Sequence, residues 1–188
     1  FKMMVVLEEQ ISEAKRIVQR SLGLIEIFGL KDEDINVDMF GVGAEVVKEF
    51  ALAGHNVDGI NVGDIPDDED DKKMYKNKRA MMYIRFRKWI KQGGEVVAHK
   101  GFDDEFAAIR YRRTLGESKL QIMSKHDMRK IGLRSPNYVD AGMLTFSKEN
   151  DDNIKMMTIT PSMHAKGGLR KIETHNNSRN ADIYNNLI

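Results

Sequence analysis

Two aspartates, about 100 residues apart, stand where carboxylates are costly. Asp38 interrupts the apolar run Ile35-Asn36-Val37-Asp38-Met39-Phe40 just before Gly41-Val42-Gly43, and Asp140 lies in Ser135-Pro136-Asn137-Tyr138-Val139-Asp140-Ala141-Gly142-Met143-Leu144. An ionised carboxylate taken out of water needs a partner, and where no Arg or Lys is pinned beside it, a divalent cation shared between acids is the usual one. The expected chemistry is a metal site built from Asp38 and Asp140. Asn137 precedes Asp140 by three residues, and residues at i and i+3 share a helix face, so both side chains are expected to converge on one ion.

Each acid also has a plainer role open to it. Asp38 would serve as an N-cap and Asp140 as a first-turn acid against a helix dipole. The distance from Asp38 to Gly43, where the next helix is expected to start, argues against direct capping. Other groupings carry less. The acidic run Asp67-Asp68-Glu69-Asp70-Asp71 lacks the spacing of a calcium loop and reads as a solvated loop and helix start. The five histidines are scattered without zinc spacing, with His99 and His126 the two candidates for a place near a site. Gly41-Val42-Gly43 has Val46 where a dinucleotide fingerprint requires its third glycine. A tight strand-to-helix turn, letting substrate backbone approach the Asp38 carboxylate, is the expectation there.

The elements that must position these acids alternate strand with helix. Hydrophobic periodicity predicts strands over 2–7, 35–40, 57–62, 95–99 and 119–123. Between them it predicts a helix from Ser12 with Ala14, Ile17, Val18 and Leu22 inward, and one over 43–53 with Val46, Val47, Phe50 and Leu52 inward, closed by Gly54. A long helix is expected over 71–92, stopped by Gly93-Gly94, and another over 103–113. Pro136 is placed to open the helix that carries Asp140. The order implies an α/β fold, with helices on both faces of a parallel or mixed sheet.

Whole-chain properties narrow the field further. A length of 188 residues suits one domain, taken as residues 1–149, followed by a tail over 150–188 that is extended or partly disordered, with one added strand expected near 154–160. The absence of cysteine excludes disulfides, zinc-thiolate sites and thiol nucleophiles. A net charge of +1 means that any nucleic-acid contact rests on local patches. No apolar run is long enough to span a bilayer. A chain opening on Phe1 is expected to be part of a longer one. Two basic clusters stand out: Lys76, Lys78 and Arg79, then Lys125, Arg129, Lys130 and Arg134 leading into the Asp140 segment. Such clusters are often solvated helix faces, but beside metal-binding acids they suit a phosphodiester. Tyr75, Tyr111 and Tyr138 either flank that surface or pack in the core.

Taken in order, Asp38 before Gly-Val-Gly and a helix, Tyr75-Lys76-Asn77-Lys78-Arg79-Ala80, Ser124-Lys125 and Ser135-Pro136-Asn137-Tyr138-Val139-Asp140-Ala141 resemble the C-terminal nuclease domain of the large terminase subunit of tailed phages. The resemblance covers roughly residues 3–147. It implies a ribonuclease H-like fold, a mixed central sheet flanked by helices on both faces, that cuts concatemeric double-stranded viral DNA during packaging. It further implies two Mg²⁺ or Mn²⁺ ions, with Asp38 and Asp140 as catalytic acids and ligands, and Asn137 as a neutral ligand where the family commonly has an acid or His. Lys78, Arg79, Lys125, Arg129 and Arg134 would contact DNA. Lys125 is also a candidate for holding the site in check without metal. The implied partners are an upstream ATPase motor domain, the small terminase subunit and the portal protein, in the cytoplasm of an infected or lysogenic bacterial host. The family's first catalytic Asp lies on a strand upstream of the segment matching 2–7, which this sequence does not contain. Two rival readings follow: a catalytically incomplete DNA- or portal-binding module, and another ribonuclease H-like nuclease such as a Holliday-junction resolvase.

Overall fold

The computed structural model describes residues 2–3, 11–96, 100–113, 118–148 and 157–159. Its centre is the strand β2 (Ile35–Asp38), buried at every position. Such a strand is covered on both faces, and its alternation splits it cleanly. Ile35 and Val37 join the core made by α1 (Ala14–Phe28) and α2 (Gly43–Leu52), through Ile17, Val18, Val46 and Phe50. Asn36 and Asp38 take the opposite face. Two parallel strands flank β2, namely β3 (Asp58–Ile60) on one side and β7 (Met157–Ile159) on the other. β7 falls within the strand expected near 154–160. The remainder of 150–188 lies outside the described residues, as do 4–7 and 97–99 of the expected strands.

The strand expected to reach Phe40 ends at Asp38. Gly41 takes a left-handed φ of 69°, and a Cβ on Gly43 would stand 1.7 Å from the Asp38 carbonyl oxygen. Both glycines are thus required by the turn itself. What the turn brings close is the first residue of α2 and the backbone of Asp38. α2 buries Val46 and Phe50 as expected, but Leu52 is 71% exposed.

Two predicted helices are corrected by tertiary contacts. The helix expected over 71–92 is two helices, α3 (Glu69–Met74) and α4 (Lys78–Lys91). Between them Tyr75 is extended and bridged to Leu120, and the Lys76 N–H donates to the Leu120 carbonyl at 2.9 Å. Asn77 then caps α4, its side chain accepting from the Ala80 N–H at 3.0 Å. The Lys78 and Arg79 N–H groups donate to the carbonyls of Asp64 and Val62. Propensity runs through this stretch, but its open N–H groups find partners only if the helix restarts. Likewise the helix expected over 103–113 is α5 (Lys100–Ala108), after which β5 (Tyr111–Arg113) pairs antiparallel with β6 (Leu120–Ile122). A short parallel pair, β1 (Lys2–Met3) with β4 (Glu95–Val96), completes the described strands.

A second core surrounds α4. Met82, Phe86, Phe102, Val139, Met143 and Leu144 join it to α5 and α7 (Asn137–Leu144), with the Phe86 ring 5.1 Å from that of Phe146 and 5.7 Å from that of Phe102. The remaining α-helix among the described residues is α6 (Lys125–Lys130), capped by the Ser124 hydroxyl. Among the described residues no helix is long and apolar enough to cross a membrane.

Candidate metal centre

α7 runs back along the face of β2 that carries Asn36 and Asp38. The Asn36 Nδ2 donates to the Leu144 carbonyl at 3.0 Å, which pins the C-terminal end of α7 beside the middle of the strand. From Leu144 back to Asp140 is four helical residues, about 6 Å of rise. From Asn36 to Asp38 is two strand residues, about 6.6 Å. The two aspartates are therefore brought level. Both are buried, with Asp38 6% and Asp140 1% exposed. Asp38 ends β2 at the carboxyl end of the parallel strands, where open α/β sheets bind ligands, and Asp140 stands in the first turn of α7.

The charges around them are unequal. Among the described residues Asp38 has one backbone donor, the Phe40 N–H at 3.0 Å to Oδ1, so it closes its own turn and does not cap α2. Burial pushes its carboxyl above the usual range, and the Asp140 charge pushes the same way, against the Phe40 N–H, Lys125 and Arg79. Asp140 is held by cations. Its Oδ1 accepts from the Tyr83 hydroxyl at 2.7 Å and from Arg79 Nη2 at 3.2 Å, while Lys125 Nζ lies 2.7 Å from Oδ2. The expectation that no Arg or Lys is pinned nearby thus fails for Asp140, because helices distant in sequence deliver both.

The other expected site residues divide by exposure. Arg79 is nearly buried; besides Asp140 it donates to the Met123 carbonyl at 3.0 Å and stacks on the Tyr83 ring at 5.1 Å. Asn137 is exposed at the first position of α7, whereas Asp140, one turn later, faces inward. Lys78 pairs with Asp67 at 2.8 Å. Arg129 and Arg134 are exposed, Arg129 donating through Nε to the Lys125 carbonyl at 3.2 Å. His126 is exposed on α6, and His99 lies outside the described residues. In the acidic run, Asp68 caps α3 and Asp71 pairs with Arg85 at 2.7 Å.

Two residues with a part in this site escaped the sequence reading. Tyr83 follows Arg79 by one turn of α4, and that spacing was the available signal. Burial and the adjacent carboxylate push its phenol well above the usual range, so the hydroxyl remains a donor. Glu105, on α5, accepts from the N–H groups of Tyr138 and Val139 at 2.7 and 3.1 Å. It satisfies the open donors at the start of α7 and so fixes where Asp140 stands. Burial raises its carboxyl to about 7. No local motif marks it.

The donor set fits a divalent ion in part. Both carboxylates are buried and the Asp140 charge acts on Asp38, Asp38 has no lysine or arginine salt bridge among the described residues, and the charge facing Asp140 Oδ2 is a half-exposed lysine. No cluster of three potential metal-ligating side chains occurs among the described residues. An open cavity of about 470 Å³, lined by Lys31, Asp32, Asn56, Asp58 and Lys148, lies at the other end of the sheet and plays no part here.

No protein-family model matches the chain, and no curated protein is significantly similar in sequence. Among solved structures, the chain is similar to a lysine-to-alanine mutant of the nuclease domain of the large terminase subunit gp2 of bacterial virus Sf6, a structure with manganese and beta-thujaplicinol. The two are 21% identical with a TM-score of 0.55, over 74% of this chain and 75% of that one. The fold is mixed α/β and ribonuclease H-like, as that of the terminase nuclease domain.

Proposed function

We propose that this chain is the metal-dependent endonuclease domain of a viral genome-packaging terminase, cutting concatemeric double-stranded DNA. The observation that supports it best is the burial of Asp38 at the end of β2 with the buried Asp140 close enough to act on its charge, in a fold shared with a nuclease domain solved with manganese. Asp38 and Asp140 would hold Mg²⁺ or Mn²⁺, with Asn137, exposed at the start of α7, as a neutral oxygen donor. Two such ions, when bound, activate a water and stabilise the leaving oxygen of the phosphodiester. The chain's own side chains do the rest. Asp38, whose carboxyl burial pushes above the usual range, gains from a nearby cation. Lys125 balances Asp140 when no ion is present and is half-exposed, free to turn toward a phosphate. Arg129 and Arg134 present charge to the DNA backbone, and Lys78 can join them by leaving the exposed Asp67. The further partners of this reading are an upstream ATPase motor, the small terminase subunit and the portal, in the host cytoplasm.

Mn²⁺-dependent nicking of plasmid DNA tests the proposal: Asp38→Ala and Asp140→Ala should each abolish it, and undiminished cutting by either variant would remove that acid from the centre. One observation favours a second reading, a DNA- or portal-binding module without catalysis: the described residues contribute two acids, and one is already neutralised. Calorimetric titration separates the two. Mn²⁺ binding no tighter than millimolar would favour the module.

A further inference from the structure

The two oxygens of Asp140 have different surroundings. Oδ1 receives both the Tyr83 hydroxyl and the Arg79 guanidinium, whereas Oδ2 faces Lys125 Nζ. The torsion that rotates an aspartate's carboxylate is broad and set weakly by the side chain itself. Two fixed donors on one oxygen therefore decide which way the other points. The donors are themselves fixed: Tyr83 is 3% exposed, and Arg79 is anchored to the Met123 carbonyl and stacked on the Tyr83 ring. Both rise from one face of α4, whose start is set by the Asn77 cap. The lysine on Oδ2 is different in kind, with its side chain 37% exposed against 2% for Asp140.

We propose that Tyr83 and Arg79 are positioning residues that lock Asp140 through Oδ1, so that Oδ2 alone is offered to a metal ion, and that Arg79 is therefore an internal anchor and not a phosphate contact. The proposal rests on the metal-centre reading above and adds to it which groups orient the ligand. Neither side chain needs to touch the ion or the DNA. Partners that orient a ligand from behind typically change metal affinity by about 10- to 100-fold when removed.

The test is Mn²⁺ titration of wild type, Tyr83→Phe and Asp38→Asn by calorimetry, with binding of a short DNA duplex in EDTA measured across salt for wild type and Arg79→Gln. Tyr83→Phe should bind Mn²⁺ at least about 10-fold more weakly. Arg79→Gln should keep the wild-type salt slope for DNA, where loss of a phosphate contact would lower it by about 1. Wild-type Mn²⁺ affinity in Tyr83→Phe would overturn the positioning role, and a reduced slope in Arg79→Gln would overturn the anchor role. Absence of Mn²⁺ binding by wild type, or equal binding by Asp38→Asn, would instead sink the metal centre itself.

Discussion

Asp38→Asn and Asp140→Asn remove the same charge from neighbouring buried positions, yet the structure predicts stability changes of opposite sign. Asp140 is 1% exposed and balances Arg79, whose side chain is itself only 11% exposed. Removing one partner of a buried pair costs about 3–5 kcal/mol, because the surviving charge is left in a poor solvent. Asparagine keeps an oxygen for the Tyr83 hydroxyl, and Arg79 keeps the Met123 carbonyl, so about 3 kcal/mol is the appropriate figure. For a domain of this size that lowers the melting temperature by about 6–12 °C. Asp38 carries the reverse balance. Burial raises its folded pKa, so the native state holds the proton more tightly than the unfolded chain, and stability is lost as pH rises past the unfolded value. An asparagine there keeps the acceptor for the Phe40 N–H without the buried charge. Thermal and denaturant melts in EDTA should show Asp38→Asn melting above wild type at neutral pH, with the gain vanishing in acid, and Asp140→Asn well below. If Asp140→Asn melts within about 1 °C of wild type, or if both variants lose equally, the charge assignment is wrong.

Three further outcomes follow from the same geometry. Glu105 has its carboxyl raised from 4.5 to about 7, so the folded state binds more protons across that window and stability falls as pH climbs through it. Solvent screening of a half-buried group reduces the effect to about 1 kcal/mol, and Glu105→Gln should flatten the pH dependence of the melting curve by that amount. Gly43→Ala places a methyl 1.7 Å from the backbone oxygen of Asp38, which cannot turn aside, so a loss of at least about 3 kcal/mol is expected in urea titration. A variant as stable as wild type would show that the turn has room to open. Lys125→Ala takes the ammonium from Asp140 Oδ2, so the protein should melt lower in EDTA but gain more stability from Mn²⁺ than wild type does. An equal gain would mean that the lysine does not oppose the ion.

Much of the frame could be read before any contact was known. The apolar run around Asp38 marks the central strand, and its alternation already separates Ile35 and Val37 from Asn36 and Asp38. Gly41-Val42-Gly43 announces the turn, and Pro136 the start of α7. The two helix errors share one origin. Residues 71–92 and 103–113 have helical patterns, but backbone partners far along the chain, Leu120 and the strand it opens, claimed Tyr75, Lys76 and Tyr111–Arg113. Local preference is weak against hydrogen bonds and burial that only the assembled fold supplies.

The sequence by itself determined that two carboxylates would be buried at the ends of regular elements, since the surrounding apolar residues leave them nowhere else to go. Only the tertiary structure decided how those charges are balanced. Tyr83 and Arg79 lie 57 and 61 positions from Asp140, and Glu105 lies 33 from Tyr138. Residue type says that such groups are able to pair. Which ones do depends on how α4, α5 and α7 pack, and that packing follows from the aromatic core beneath them and not from any pattern in the charged residues themselves.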